Sequence, residues 1–213
     1  VVASGAPVAF LASMSIGVWS GGLLAWQVPF VLLALLVTGL GFAVATFPPP
    51  PAHALATTPV SLRLYRERLF GASLETGTAT MLGGYFCWAA AIFVFLGAYP
   101  SWLVQHALSS DGAGLIGALL FVGELGGLAG ALLSGRLGAL ARPPLGLCAA
   151  TAVVLAALAT TVPLMGGYAP GQAALYVGFA FGRDLMLALM LGGAMLLVPA
   201  ARRGSLNALL NAT

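Results

Sequence analysis

The stretch Gly112 to Pro144, GAGLIGALLFVGELGGLAGALLSGRLGALARPP, decides the fold. From Ala113 to Leu133 its only charged residue is Glu124, and about 21 such residues in a helix cross the roughly 30 Å hydrocarbon core of a bilayer. The stretch therefore reads as a membrane span. Gly123 with Gly127, and Gly126 with Gly130, form two overlapping small-xxx-small pairs. Such pairs let a second backbone approach closely where lipid gives helices no hydrophobic reason to associate. The span is expected to lie inside a bundle, with Glu124 at mid-depth neutral, paired or facing water, because a bare carboxylate there is costly. Arg136 and Arg142 follow the span and place that end on the cytoplasmic side by the positive-inside rule.

Composition extends this reading to the whole chain of 213 residues. Hydrophobic residues make up 61% and charged residues 6%, against about 25% charged in an ordinary soluble domain. The expected class is an all-α membrane protein, a polytopic bundle of transmembrane helices. Glycine, 29 residues, is about twice its usual share, which favours close helix packing. The net charge of +3 comes from eight arginines and no lysine, all but Arg183 on the connections between spans, and no nucleic-acid partner is expected. Cys87 and Cys148 sit in apolar segments without CxxC or Cys/His spacing, so neither a disulfide nor a metal site is expected.

Outward from the central stretch, apolar runs over Val2 to Leu24, Pro29 to Phe47, Gly71 to Tyr99, Leu145 to Met165 and Gln172 to Val198 give five further spans, and Ser205 begins another. Trp26-Gln27 turns the first two into a hairpin. Pro48 to Pro51 close the second, since proline cannot continue a helix. Residues 48–69 are the one long polar connection. They divide the chain into 1–47, the linker 48–69 and 70–213. Tyr99-Pro100 is expected to kink the third span near its outer end, with Trp102 to Leu108 continuing the helix and Ser109, Ser110 and Asp111 offering N-caps to the next. Arg63, Arg66, Arg68, Arg136, Arg142, Arg202 and Arg203 all fall on alternate connections. That alternation puts the linker and the turns at Arg136, Arg142, Arg202, Arg203 and Gly204 in the cytoplasm, and the connections around Ser109 and Tyr168 outside.

The order of these features resembles the major facilitator superfamily of secondary transporters, in particular its drug and sugar efflux members. The likeness rests on Trp26-Gln27-Val28-Pro29-Phe30, similar to the family's external WR-x-x-F connection, and on the long linker between halves. It rests also on Pro199-Ala200-Ala201-Arg202-Arg203-Gly204-Ser205, which resembles the P-x-x-R-G turn between the tenth and eleventh helices. Gly135 to Arg142 stands where a G-x-x-x-D-R-x-G-R-like turn recurs, with Ala139 and Leu140 in place of the acidic and basic residues. By this alignment the chain is a fragment holding helices five to ten of twelve and the start of eleven. The resemblance implies a transporter of a small organic solute working by alternating access in a bacterial inner membrane, with proton-coupled efflux as the expected direction. An uptake symporter of the same fold, and a non-transporting membrane receptor or assembly subunit, remain open.

Catalytic patterns do not hold. Gly112, Gly114 and Gly117 match G-x-G-x-x-G, but a membrane span follows and no strand precedes. No metalloprotease, nucleophile-elbow or P-loop motif is present, and neither an enzyme nor a cofactor is expected. Function is instead sought in intramembrane polar groups. These are Glu75 near the start of the third span, Glu124 at the middle of its own, and Arg183-Asp184 in the sixth, while the spans from Pro29 and from Leu145 carry no charge. Charged spans are expected to face a wet interior and charge-free spans to face lipid. Ser73, Thr76, Thr80, Gly84 and Cys87 recur at helical steps and predict a polar stripe, with Tyr85 and Trp88 beside it for a substrate or for bundle packing. Arg183 cannot shed its proton, so it is expected to be held by Glu124 from another helix. Asp184, about 100° further round, is expected to face elsewhere. The expected partners are thus the bilayer, a small solute, protons and the remaining helices of the same transporter.

Overall fold

The computed structural model describes residues 27–46, 76–106, 112–141, 144–197 and 203. They form five helices: α1 (Val28–Thr46), α2 (Thr76–His106), α3 (Gly112–Leu140), α4 (Pro144–Met165) and α5 (Ala169–Leu197). There is no strand among the described residues. The expected span over Val2 to Leu24, the linker 48–69, the caps at Ser109 to Asp111 and the segment from Ser205 lie outside them.

Four helices, α2 to α5, are long and apolar enough to cross a membrane. Their sequences explain this: apolar residues and glycine dominate each helix, with few charged side chains among them. In hydrocarbon, the α-helix pairs all of a segment's backbone groups internally. α2 continues without a break through Pro100 to His106, 31 residues in all, in keeping with the expected continuation past Trp102. One missing N–H donor is tolerated because Tyr99 and Leu103, buried on either side of the proline, anchor both flanks in the core. At about 1.5 Å per residue α2 is roughly 46 Å long, well beyond the hydrocarbon thickness.

α3 and α5 form the centre, each with 56% of its apolar window buried, against 17% for α2 and 22% for α4. The two run parallel, as their contacts show. Gly123 lies against Tyr176, Gly126 against the carbonyl of Val177, Gly130 against that of Phe181 and Gly138 against Leu189, so residue numbers rise together. The small-xxx-small pairs thus do bring a second backbone close, and the partner is α5. α4 packs antiparallel on the other side of α5, with Leu158 at Gly178 and Leu155 at Gly182. α2 closes the bundle through Ile92, Leu96, Tyr99 and Leu103, which share one apolar core with Ile116, Leu120, Tyr176 and Phe179. α1, charge-free, leaves Val31, Leu35, Leu36 and Phe42 exposed.

The α4–α5 turn is built by three residues. Gly166 adopts a φ of 50°, the left-handed conformation that ends helices and that glycine takes without a Cβ penalty. Tyr168 N–H then donates to the Met165 carbonyl at 3.1 Å. Gln172, fully buried, donates from Nε2 to the carbonyls of Val162 and Gly166 at 2.9 and 3.1 Å, satisfying groups that a helix end leaves open. Tyr99 of α2 donates to the Gln172 Oε1 at 3.2 Å, tying a third helix to the same corner.

Ala141 and Tyr168 flank α4 at opposite ends, about 33 Å apart at 1.5 Å per residue. Single cysteines at these two positions in the membrane-inserted protein should react with an impermeant thiol reagent from opposite sides. Labelling of both from one side would mean that α4 does not span.

Candidate functional site

The parallel packing of α3 on α5 brings together three ionisable side chains that the sequence scatters over 61 positions. Glu124, at 0% exposure, and Arg183 and Asp184, each at 1%, are sealed at mid-helix. Arg183 Nη1 donates to Glu124 Oε1 at 3.0 Å and Nη2 to Oε2 at 2.5 Å, the two-pronged fit of a planar guanidinium on a carboxylate. Tyr176 Oη donates to the same Oε1 at 2.6 Å.

Asp184 does not face elsewhere. Arg183 Nε donates to its Oδ1 at 3.1 Å and Nη2 to its Oδ2 at 2.7 Å. The angle of about 100° between adjacent residues fixes only where the side chains leave the helix, and the long arginine stem folds back across its neighbour. Opposite stands Gly127, where a Cβ would strike Asp184 Oδ2. The missing side chain on α3 makes room for the carboxyl on α5. One guanidinium thus bridges two carboxylates on two helices, and the fully ionised cluster carries one excess negative charge.

Two groups of the site were not singled out from sequence. Tyr176 and Gln172 share the face of α5 that holds Arg183, at spacings of seven and eleven residues, and that periodicity was the available signal. Their neighbour is Tyr99, whose ring stacks on Tyr176 with centroids 5.2 Å apart. Tyr99, Gln172 and Tyr176 line the way from the α4–α5 turn to the charged cluster, with Phe179 stacked on Phe95 beside them.

The other sequence candidates do not join the cluster. Tyr85 and Trp88 are half-buried and pack on each other with centroids 5.5 Å apart. Thr80, Gly84 and Cys87 are exposed. The expected polar stripe does not make a polar cavity: Gly84 and Cys87 edge a cleft of about 360 Å³ otherwise formed by apolar groups such as Ala91, Phe95, Leu155, Phe179 and Met186. The facing sides of α4 and α5 contribute only hydrocarbon there. The indole Nε1 of Trp88 is buried without a hydrogen-bond partner. Arg136 and Arg203 are exposed. Glu75, Arg142, Arg202 and Gly204 lie outside the described residues, as does the side chain of Thr76. No group of acidic, histidine or cysteine side chains suited to a metal occurs among the described residues.

These features define a class: a protein whose described residues are helical, with four helices among them suited to crossing a membrane and an ion cluster sealed between the two most buried. No protein family, curated protein or solved structure matches the chain.

Proposed function

We propose that the chain is part of a secondary transporter that moves a small organic solute across a bacterial inner membrane by alternating access, coupled to protons and working in the direction of efflux. The observation that carries this reading is the Glu124–Arg183–Asp184 cluster at mid-depth of two spans. Ionisable groups at that depth are costly, and where they occur they mark ion and substrate pathways. The cluster has an excess carboxylate, which suits it to taking up and giving back a proton. The arginines at alternate helix ends support an orientation with Ala141 and the 48–69 linker in the cytoplasm. The resemblance to the major facilitator superfamily supplies the remaining helices and a site closed by both halves of the molecule.

The test uses the complete protein in liposomes with a pH-sensitive dye inside, challenged in turn with organic cations, organic anions and sugars. One class should drive proton movement, and Asp184→Asn, which removes one of the two carboxylates of the cluster, should abolish it while the protein still inserts. Absence of solute-driven proton movement with every class would sink the proposal.

A further inference from the structure

We infer that Asp184, and not Glu124, is the proton-exchanging carboxylate of the cluster, and that its protonation frees the Nε edge of Arg183. The inference deepens the transport reading and rests on it for the proton's role in coupling.

Charge comes first. Arg183 contributes one positive charge, Glu124 and Asp184 two negative ones, all sealed from solvent. In such surroundings an uncompensated charge is costly, so the neutral cluster holds one proton on one of the two carboxyls. The other groups packed around them cannot compensate: α5 adds Tyr176, α2 brings Tyr85 and Tyr99, α4 brings Cys148, and α1 has no ionisable residue. None of these supplies a cation.

Geometry then separates the two carboxyls. Glu124 accepts three hydrogen bonds, two from the guanidinium and one from Tyr176. The tyrosine contact, at 2.6 Å, has the length of a hydroxyl donating to an ionised oxygen, about 2.5–2.7 Å. Asp184 accepts two, both from its own neighbour, and the Nε to Oδ1 contact of 3.1 Å is the longest of the four guanidinium bonds. Donors aimed at the charged form hold it charged. Glu124 is therefore the fixed anion of Arg183, and the proton goes to the less supported Asp184.

The step balances simply. Hydronium gives up a proton, leaving water, and one O–H bond forms at Asp184 Oδ1; the Nε–H···Oδ1 hydrogen bond breaks, and the cluster passes from one excess negative charge to neutral. Arg183 stays clamped to Glu124 through Nη1 and Nη2, while its Nε–H is released towards an acceptor on a solute or water. Deprotonation reverses the exchange. Gly127 keeps the room in which the aspartate carboxyl turns, since a Cβ there would meet Oδ2.

Infrared difference spectra of the chain in lipid nanodiscs, recorded between acidic and alkaline pH, test this directly. The signal is the carbonyl stretch of a protonated carboxyl, recognised by its downshift in heavy water. Asp111 and Asp184 are the only aspartates, so carboxyl-¹³C aspartate in an Asp111→Asn background reports Asp184 alone. The band should shift with labelled aspartate, stay in place with labelled glutamate, and vanish in Asp184→Asn. A shift with labelled glutamate only, or no protonated carboxyl at any pH at which the helices persist, would overturn the assignment. The labelled chain decides this even if Asp184→Asn fails to insert. In the complete protein, an aspartate band that titrates without any pH-driven solute flux would support the proton site and overturn the transport reading.

Discussion

Gly130→Ala should separate α3 from α5 and destabilise the folded protein by about 2–3 kcal/mol, the upper range for overpacking a tight contact. A Cβ at position 130 falls on the backbone carbonyl of Phe181, with its carbonyl carbon at 3.0 Å and its Cα at 3.1 Å. A side chain can rotate away from an intruding methyl group, whereas a helix backbone can yield only by moving the whole helix. Gly135 supplies the control on the same helix, since a Cβ there has nothing within 4 Å. Gly135→Ala should change stability by no more than about 1 kcal/mol. Reversible unfolding of both variants in mixed micelles checks the contrast. Equal effects would mean that the glycine contact is not what holds the two helices together.

Arg183→Gln should be the most damaging single change, with a loss of about 3–5 kcal/mol, the usual cost of removing one partner from a buried ion pair. It leaves Glu124 and Asp184 facing each other with no cation between them. The variant can relieve this only by taking up protons, so its folded state binds more protons than its unfolded state and stability falls as pH rises. Adding Glu124→Gln to Arg183→Gln should recover part of the loss by removing one of the stranded charges. Stability of the single variant that is indifferent to pH, with no recovery in the double variant, would show that charge is not the issue.

Much of the architecture could be read from residue types alone, because in hydrocarbon a long apolar run has one solution and small residues at steps of four mark a close contact. Gly126 and Gly130 announced a seam. They did not announce its partner, since the complementary surface is made of the Val177 and Phe181 carbonyls, which every residue possesses and no sequence displays. Glu124 and Arg183 were legible as complementary charges at matching depths. Asp184 was not, because its placement depends on how a flexible arginine folds over its own helix. Tyr176 reads in sequence like any core aromatic, and only the 2.6 Å contact to Glu124 makes it a member of the site. The cleft beside Gly84 and Cys87 is apolar on all three helices, through Ala91, Ile92 and Phe95 of α2 as well as Leu155, Phe179 and Met186 of α4 and α5, and the spacing of the polar residues on α2 carries no information on those partners.

The seam between α3 and α5 has a property that its tightness conceals. Gly126, Gly130, Ser134 and Gly138 follow one another every four residues, so sliding α3 along α5 by one helical turn, about 5.4 Å, brings one small residue into the place of another. The repeat is imperfect, since a slip in one direction sets Ser134 in the place of Gly130 and in the other sets Val122 in the place of Gly126, each bringing a Cβ onto a carbonyl of α5. The charges oppose the same slip: it carries Glu124 away from Arg183 and strands both in hydrocarbon. The three charged side chains therefore index the helix pair together with the glycines, so that one alignment satisfies both the close backbone contact and the ion cluster.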